Sequence, residues 1–146
     1  MKSKLLNVEN ASRTYALVYD KGEEVKRSLL EFVAYNGIVG AHLTAIGAFS
    51  SLVLGYFDPQ SKKYKEIPVD EQVEVLSLVG NMAQKDGKAR LHAHVVVGKS
   101  DGTAHGGHLL KASVWPTLEV VLVESPRHLL RKTDEDTGLA LLDLAA

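Results

Sequence analysis

Cysteine is absent from the 146 residues, which excludes disulfides, thiolate metal ligands and a cysteine nucleophile at once. No apolar run approaches the roughly 18 residues of a membrane-spanning helix. The opening MKSKLLNVENASR also lacks the apolar stretch, about 7–15 residues long, of a secretory signal. A cytoplasmic protein that engages no membrane is therefore expected. Excess charge of either sign is missing too: seventeen Lys and Arg stand against eighteen Asp and Glu. Dedicated nucleic-acid binders carry a basic patch or stripe and a pI above about 9, whereas the pI here is 6.6. The small basic grouping Lys62-Lys63-Lys65 reads as a solvated loop face. A second, Arg127-His128-Arg131-Lys132, is offset at once by Asp134, Glu135 and Asp136. Repeats, low-complexity stretches and linkers are lacking, so residues 1–146 are expected to form one domain, its core spanning about 14–144.

The hydrophobic pattern predicts one helix among many strands. Thr14–Tyr19 is β-rich, and Asp20-Lys21-Gly22 breaks it. Val25, Leu29, Phe32, Val33 and Asn36 then recur at helical spacing, which predicts a helix over Glu23–Asn36 with Gly37 as its C-cap. Strands are expected at His42–Phe49, Leu52–Phe57, Tyr64–Pro68, Val73–Met82, Arg90–Gly98, Ala104–Ser113 and Leu118–Glu124. Turn signals such as Asp58-Pro59, Asp86-Gly87, Asp101-Gly102 and Trp115-Pro116 separate them. The closing LALLDL suits an edge strand or a short helix equally. The fold expected is α+β: an antiparallel seven- to eight-stranded curled sheet or barrel-like sandwich with one covering helix.

Within LHAHVVVGKSDGTAHGGHLL, His92 and His94 sit two residues apart and so share a face of their strand. A three-residue loop of Ser100, Asp101 and Gly102, with Gly102 left-handed, would close on Lys99 and Thr103. That register puts His94 opposite His108, with Cβ atoms about 5 Å apart. Three imidazoles would then converge as the ligand set of an open zinc site. A two-residue Asp-Gly turn would instead place Val95 opposite His108 and turn that histidine to the other face. A bulge at Gly106-Gly107 would also shift the register; equally, their missing side chains would let a ligand or backbone come close. An H-x-H pair alone is commonly two ordinary strand histidines. His105 should face away from His108.

Two carboxylates stand out on strands. Glu74 alternates with Leu76 and Leu78 on one face, and Glu119 lies among Leu118, Val120, Val121 and Leu122. Among apolar neighbours a carboxylate is costly unless it is paired or hydrogen-bonded. Each is half of an ion pair, with Arg13 or Arg90 as candidate partners, or lies on a strand edge that stays wet, or serves the metal site as an orienting partner or acid–base.

The chain resembles the PPC domain, the plants and prokaryotes conserved domain, over nearly its whole length. The resemblance rests on Tyr15-Ala16-Leu17-Val18 with Gly22-Glu23-Glu24-Val25, on Leu43-Thr44-Ala45-Ile46-Gly47-Ala48, and on Val73 to Gly80. Leu91-His92-Ala93-His94, Asp101-Gly102, Gly106-Gly107-His108-Leu109, Thr117 to Val121, and Arg131 with Thr137-Gly138-Leu139 complete it. What it implies is a β-rich domain with one helix, assembled as a homotrimer. Prokaryotic members are proposed DNA-binding proteins by similarity to plant nuclear proteins. The plant proteins contact DNA through a separate Arg-Gly-Arg-Pro-type hook, and no such peptide occurs here. Their Gly-Arg-Phe-Glu-Ile-Leu segment, linked to partner recruitment, corresponds to Glu71-Gln72-Val73-Glu74-Val75-Leu76, which has lost the Arg-Phe. The fold implied is also similar to that of acetolactate decarboxylase and a group of zinc ester hydrolases, which makes His92, His94 and His108 look like a zinc triad. Two functions are expected on these grounds. One is a trimeric metal-binding regulatory domain associated with DNA, directly or through a transcription-related partner. The other is a zinc hydrolase or decarboxylase with Glu74 as acid–base.

Overall fold

In the computed structural model, which describes residues 1–125 and 129–145, nine strands and one helix follow one another. They are β1 (Lys2–Glu9), β2 (Ser12–Tyr19), α1 (Val25–Tyr35), β3 (Ala41–Asp58), β4 (Lys63–Val69), β5 (Val73–Lys85), β6 (Lys88–Gly98), β7 (Ala104–Glu124), β8 (Leu130–Thr133) and β9 (Ala140–Asp143). Strands β3, β5, β6 and β7 pair in a closed ring. Their alternate residues, among them Phe49, Leu54, Leu78, Val95, Val97, Leu118 and Leu122, fill the interior. Strand β4 hangs from β3, and the β1–β2 hairpin extends the sheet from β7. The helix packs against β6 and β7 through Val25, Leu29 and Val33, with Phe32 edge-on to Tyr15 at 5.2 Å. Glu24 caps it by accepting from the Lys26 and Arg27 amides, and Gly37 ends it at φ +64°.

The expected count of seven to eight strands is corrected to nine. Two pairs of expected strands are single bent ones: β3 runs through Ser50-Ser51, and β7 runs through Trp115-Pro116. The latter peptide is cis and falls where the β3–β7 ladder jumps from Val114 to Leu118. Proline, with no N–H to give, is tolerated where the ladder is broken. Gly47 lies opposite this bulge; a Cβ there would stand 2.4 Å from the Thr117 carbonyl. Strand β1 escaped the pattern because all eight of its residues are exposed. The tail forms β8 and β9, so LALLDL contributes an edge strand.

The expectation of a purely antiparallel sheet is also corrected. Gln84 of β5 pairs in parallel with Leu130 of β8. Strands β5 and β7 each run against β3, while β8 runs with β5. Arg127 and His128, half of the second basic grouping, lie outside the described residues.

An ion pair ties β2 to the end of β7. Arg13 donates from Nε to Glu124 Oε2 at 2.6 Å and from Nη2 to Oε1 at 2.7 Å, and it reaches the Asn36 carbonyl at 3.0 Å. Arg13 thus serves Glu124 rather than Glu119. Its hydrogen bonds hold the Glu124 carboxyl below the ordinary value of 4.5. A depressed folded-state pKa adds stability that is complete above the unfolded value and lost as pH falls through the folded one. Glu124→Gln should therefore cost about 2 kcal/mol near neutrality, within the range for hydrogen bonds to a charged group, in a pair whose arginine is still 31% exposed. Urea titrations of both proteins should show the gap closing below about pH 4.5, the unfolded carboxyl value. A gap of equal size in acid would rule the pair out as its source.

Candidate metal centre

The site is built on the β6–β7 hairpin. The Lys99 amide donates to the Thr103 carbonyl at 2.9 Å and the Gly102 amide to the Lys99 carbonyl at 2.9 Å, with Gly102 at φ +82°. This is the expected three-residue loop, stiffened by Asp101 Oδ1, which accepts from the Thr103 amide and hydroxyl. His94 consequently pairs with His108, and the ladder runs unbroken to Gly98 opposite Ala104. Gly106 and Gly107 make no bulge. Gly107 instead admits a close neighbour, since a Cβ on it would lie 3.0 Å from the Gly55 carbonyl.

Ala93, Val95 and Val97 point into the ring, so His92, His94 and His108 share the outer face. Their ring centroids lie 5.2, 5.3 and 5.4 Å apart, and one nitrogen from each falls within 4.8 Å of the others. The Nε2 atoms of His92 and His94 are 3.2 Å apart. Two nitrogens on one tetrahedral zinc, at about 2.0–2.1 Å each, are about 3.3 Å apart. His108 Nδ1 is buried and has no hydrogen-bond partner, which is costly for a polar atom. Burial, with help from its histidine neighbours and Lys26, pulls the His108 pKa down to about 4. His92 is lowered too, by burial first and then by the charges of Arg131 and His94. Near neutrality these imidazoles are uncharged, the form that binds metal. By the spacing of their nitrogens and the unpartnered buried Nδ1 of His108, the three residues fit a divalent ion.

Two side chains unforeseen as site components flank the triad. Tyr64 of β4 stacks on His108, centroids 4.7 Å apart. It lies there because residue 55 is glycine, whose Cβ would meet the Tyr64 ring at 2.8 Å. Arg131 of β8 is buried and donates to the Asn81 side chain, Asn81 being the cross-strand partner of His92. A cavity of about 200 Å³ lies between His92, His108, Tyr64 and Arg131. Tyr64 belongs to no motif, and Arg131 enters one only through the family resemblance; each reaches the triad from a strand distant from it in sequence.

The carboxylates lie elsewhere. Glu74 pairs with Gly98, four residues along β6 from His94 and roughly 13 Å away at about 3.3 Å per residue. It is exposed and stands outside the histidine cluster. Glu119 is exposed on the same outer face, beside Val18 and Ile46. His105 pairs with Val97 and faces away from His108, as alternation predicts.

A model of the Plants and Prokaryotes Conserved (PCC) domain matches residues 6–126. Among solved structures, the chain is similar to a metal-containing protein from Archaeoglobus fulgidus, 38% identical over 97% of this chain and 96% of that one, with a TM-score of 0.83. It is similar to a plant- and prokaryote-conserved protein from Pyrococcus horikoshii, at 33% identity over 99% and 96% and a TM-score of 0.85. A proposed DNA-binding protein from Bacteroides thetaiotaomicron superposes with a TM-score of 0.90, at 29% identity over 99% of both chains. A search of curated proteins found no match.

Proposed function

The chain belongs to the Plants and Prokaryotes Conserved domain family, and from that premise we propose that it is a small zinc-binding regulatory domain working as a homotrimer. The convergence of His92, His94 and His108 on one face carries the reading. The metal-containing relative from Archaeoglobus fulgidus supports it. Zinc suits three neutral imidazoles and leaves one coordination position open. Trimer assembly is supported by the outer face of β2, β3, β5, β6 and β7, where Val18, Ile46, Leu76, Val79, Val96 and Val121 are all exposed. Soluble monomers seldom leave so continuous an apolar surface in water. Elemental analysis of the purified protein, expected to give close to one zinc per chain, tests the metal.

Association with DNA is proposed to run through a partner protein. The relative from Bacteroides thetaiotaomicron is a proposed DNA-binding protein, but the net charge of this chain is −1 and the outer face is apolar. Direct binding would release phosphate counterions and strengthen steeply as salt is lowered. Fluorescence anisotropy with a labelled duplex should show no such rise for the protein alone at low ionic strength. A steep salt dependence would replace the partner-mediated route with a direct one.

A second reading, a zinc enzyme, is favoured by the cavity beside His92 and His108. A bound zinc would supply Lewis acidity there, while Tyr64 and Arg131 would shape and charge the space around a substrate. Neither Glu74 nor another carboxylate lies within the histidine cluster among the described residues.

A further inference from the structure

Arg131 presents an electrostatic problem. Its side chain is 8% exposed, and burial lowers its pKa. Nη1 donates to the Ala140 carbonyl at 2.8 Å and Nη2 to Asn81 Oδ1, both neutral oxygens. Nε is buried without a partner. No carboxylate among the described residues forms an ion pair with it. A buried cation held only by neutral acceptors is expensive. Meanwhile its Nε–H and one hydrogen on each Nη remain ungiven.

Arg131 also lines the cavity of about 200 Å³ whose other walls include Arg90, His92, His108, Tyr64, Leu91 and Leu139. We propose that this cavity binds a small organic carboxylate, paired to Arg131 at one end and set against the histidine triad at the other. A planar carboxylate matches the fork of a guanidinium and supplies the missing counter-charge. The leucine and tyrosine walls suit a short apolar body. The proposal deepens the zinc reading, since two of the three histidines, His92 and His108, line the same cavity.

Calorimetric titration of the zinc-loaded protein with propionate and benzoate, each beside its amide, tests it. The acids should bind at least tenfold more tightly than the amides. Arg131→Gln should erase that preference with zinc content unchanged. Because Arg131 also tethers Asn81 and Ala140, Leu139→Trp serves as a second variant that keeps the arginine and fills the cavity; it too should abolish binding. Equal affinity for acid and amide, no detectable binding, or acid binding retained in both variants overturns the carboxylate site. Wild-type protein without zinc would overturn the metal reading alone, because the acid–amide comparison on metal-free protein still decides the pocket.

Discussion

His108→Ala protein, purified beside the wild type, should retain less than about a tenth of the zinc, since even partners of metal ligands cost 10- to 100-fold in affinity when removed. The loss should exceed that range, because two imidazoles on one strand leave half of a tetrahedral shell to water. His92→Ala should behave alike. His105→Ala is the matched control: it removes an exposed imidazole from the same hairpin, but from the opposite face, and should hold zinc as the wild type does. Thermal denaturation gives an independent reading. A ligand that binds only the folded state stabilises it by about 2.7 kcal/mol at a hundredfold excess over Kd. Added zinc should therefore raise the melting temperature of the wild type and of His105→Ala but leave that of His108→Ala unmoved. In the metal-free state His108→Ala should lose little, since the imidazole it removes has a buried Nδ1 with no partner. Zinc content equal in wild type and His108→Ala would sink the triad.

The triad was legible in the sequence because its geometry is local. One left-handed residue, Gly102, sets the loop, the loop sets the register, and strand alternation does the rest. The helix was legible for the same reason, from the spacing of Val25, Leu29 and Val33. Alternation misled at Glu74, Leu76 and Leu78, assigned to one face. The β5–β6 register shifts between Val75 and Ser77, so Glu74 and Leu76 face out while Leu78 is buried. One extra residue in a strand reverses every face beyond it. Tyr64 and Arg131 were hidden for a different reason. Tyr64 lies among lysines that read as a solvated loop, and Arg131 lies in a polar tail. Tyr64 sits in a local hairpin of β4 with β3 and meets the site only because β3 lies beside β7 and His108. Arg131 arrives through the long-range pairing of β8 with β5. Composition could not reveal β1 either, since a strand exposed at every position has no inward face to mark it.

Val79→Glu should convert the protein from a trimer, about three times the 15.9 kDa chain mass, to a monomer. Val79 lies on the outer face in a line of direct cross-strand partners, Ala16, Val121, Thr44, Val79, His94 and His108. It is 50% exposed in the single chain, so a glutamate there stays hydrated and the fold should survive. Within a trimer sealed through this face, the same carboxylate would lose its water beside Thr44 and His94, with no Lys or Arg in the line to pair with it. Burying an unpaired polar group costs about 1–3 kcal/mol by mutational measure, and more for a charge. The substitution is repeated three times in each assembly, so about 6 kcal/mol, or roughly a 10⁴-fold weakening, is the modest expectation. Sedimentation equilibrium over a range of concentrations resolves the two masses, and a wild-type protein sedimenting as one chain would sink the assembly. Zinc analysis of the monomeric variant then separates two designs. His94 is the direct neighbour of Val79, yet the other ligands and the β6–β7 hairpin belong to the same chain. Zinc retained in the monomer makes the metal centre a property of one subunit, whereas zinc lost on dissociation makes the neighbouring copies part of what holds His94 in place.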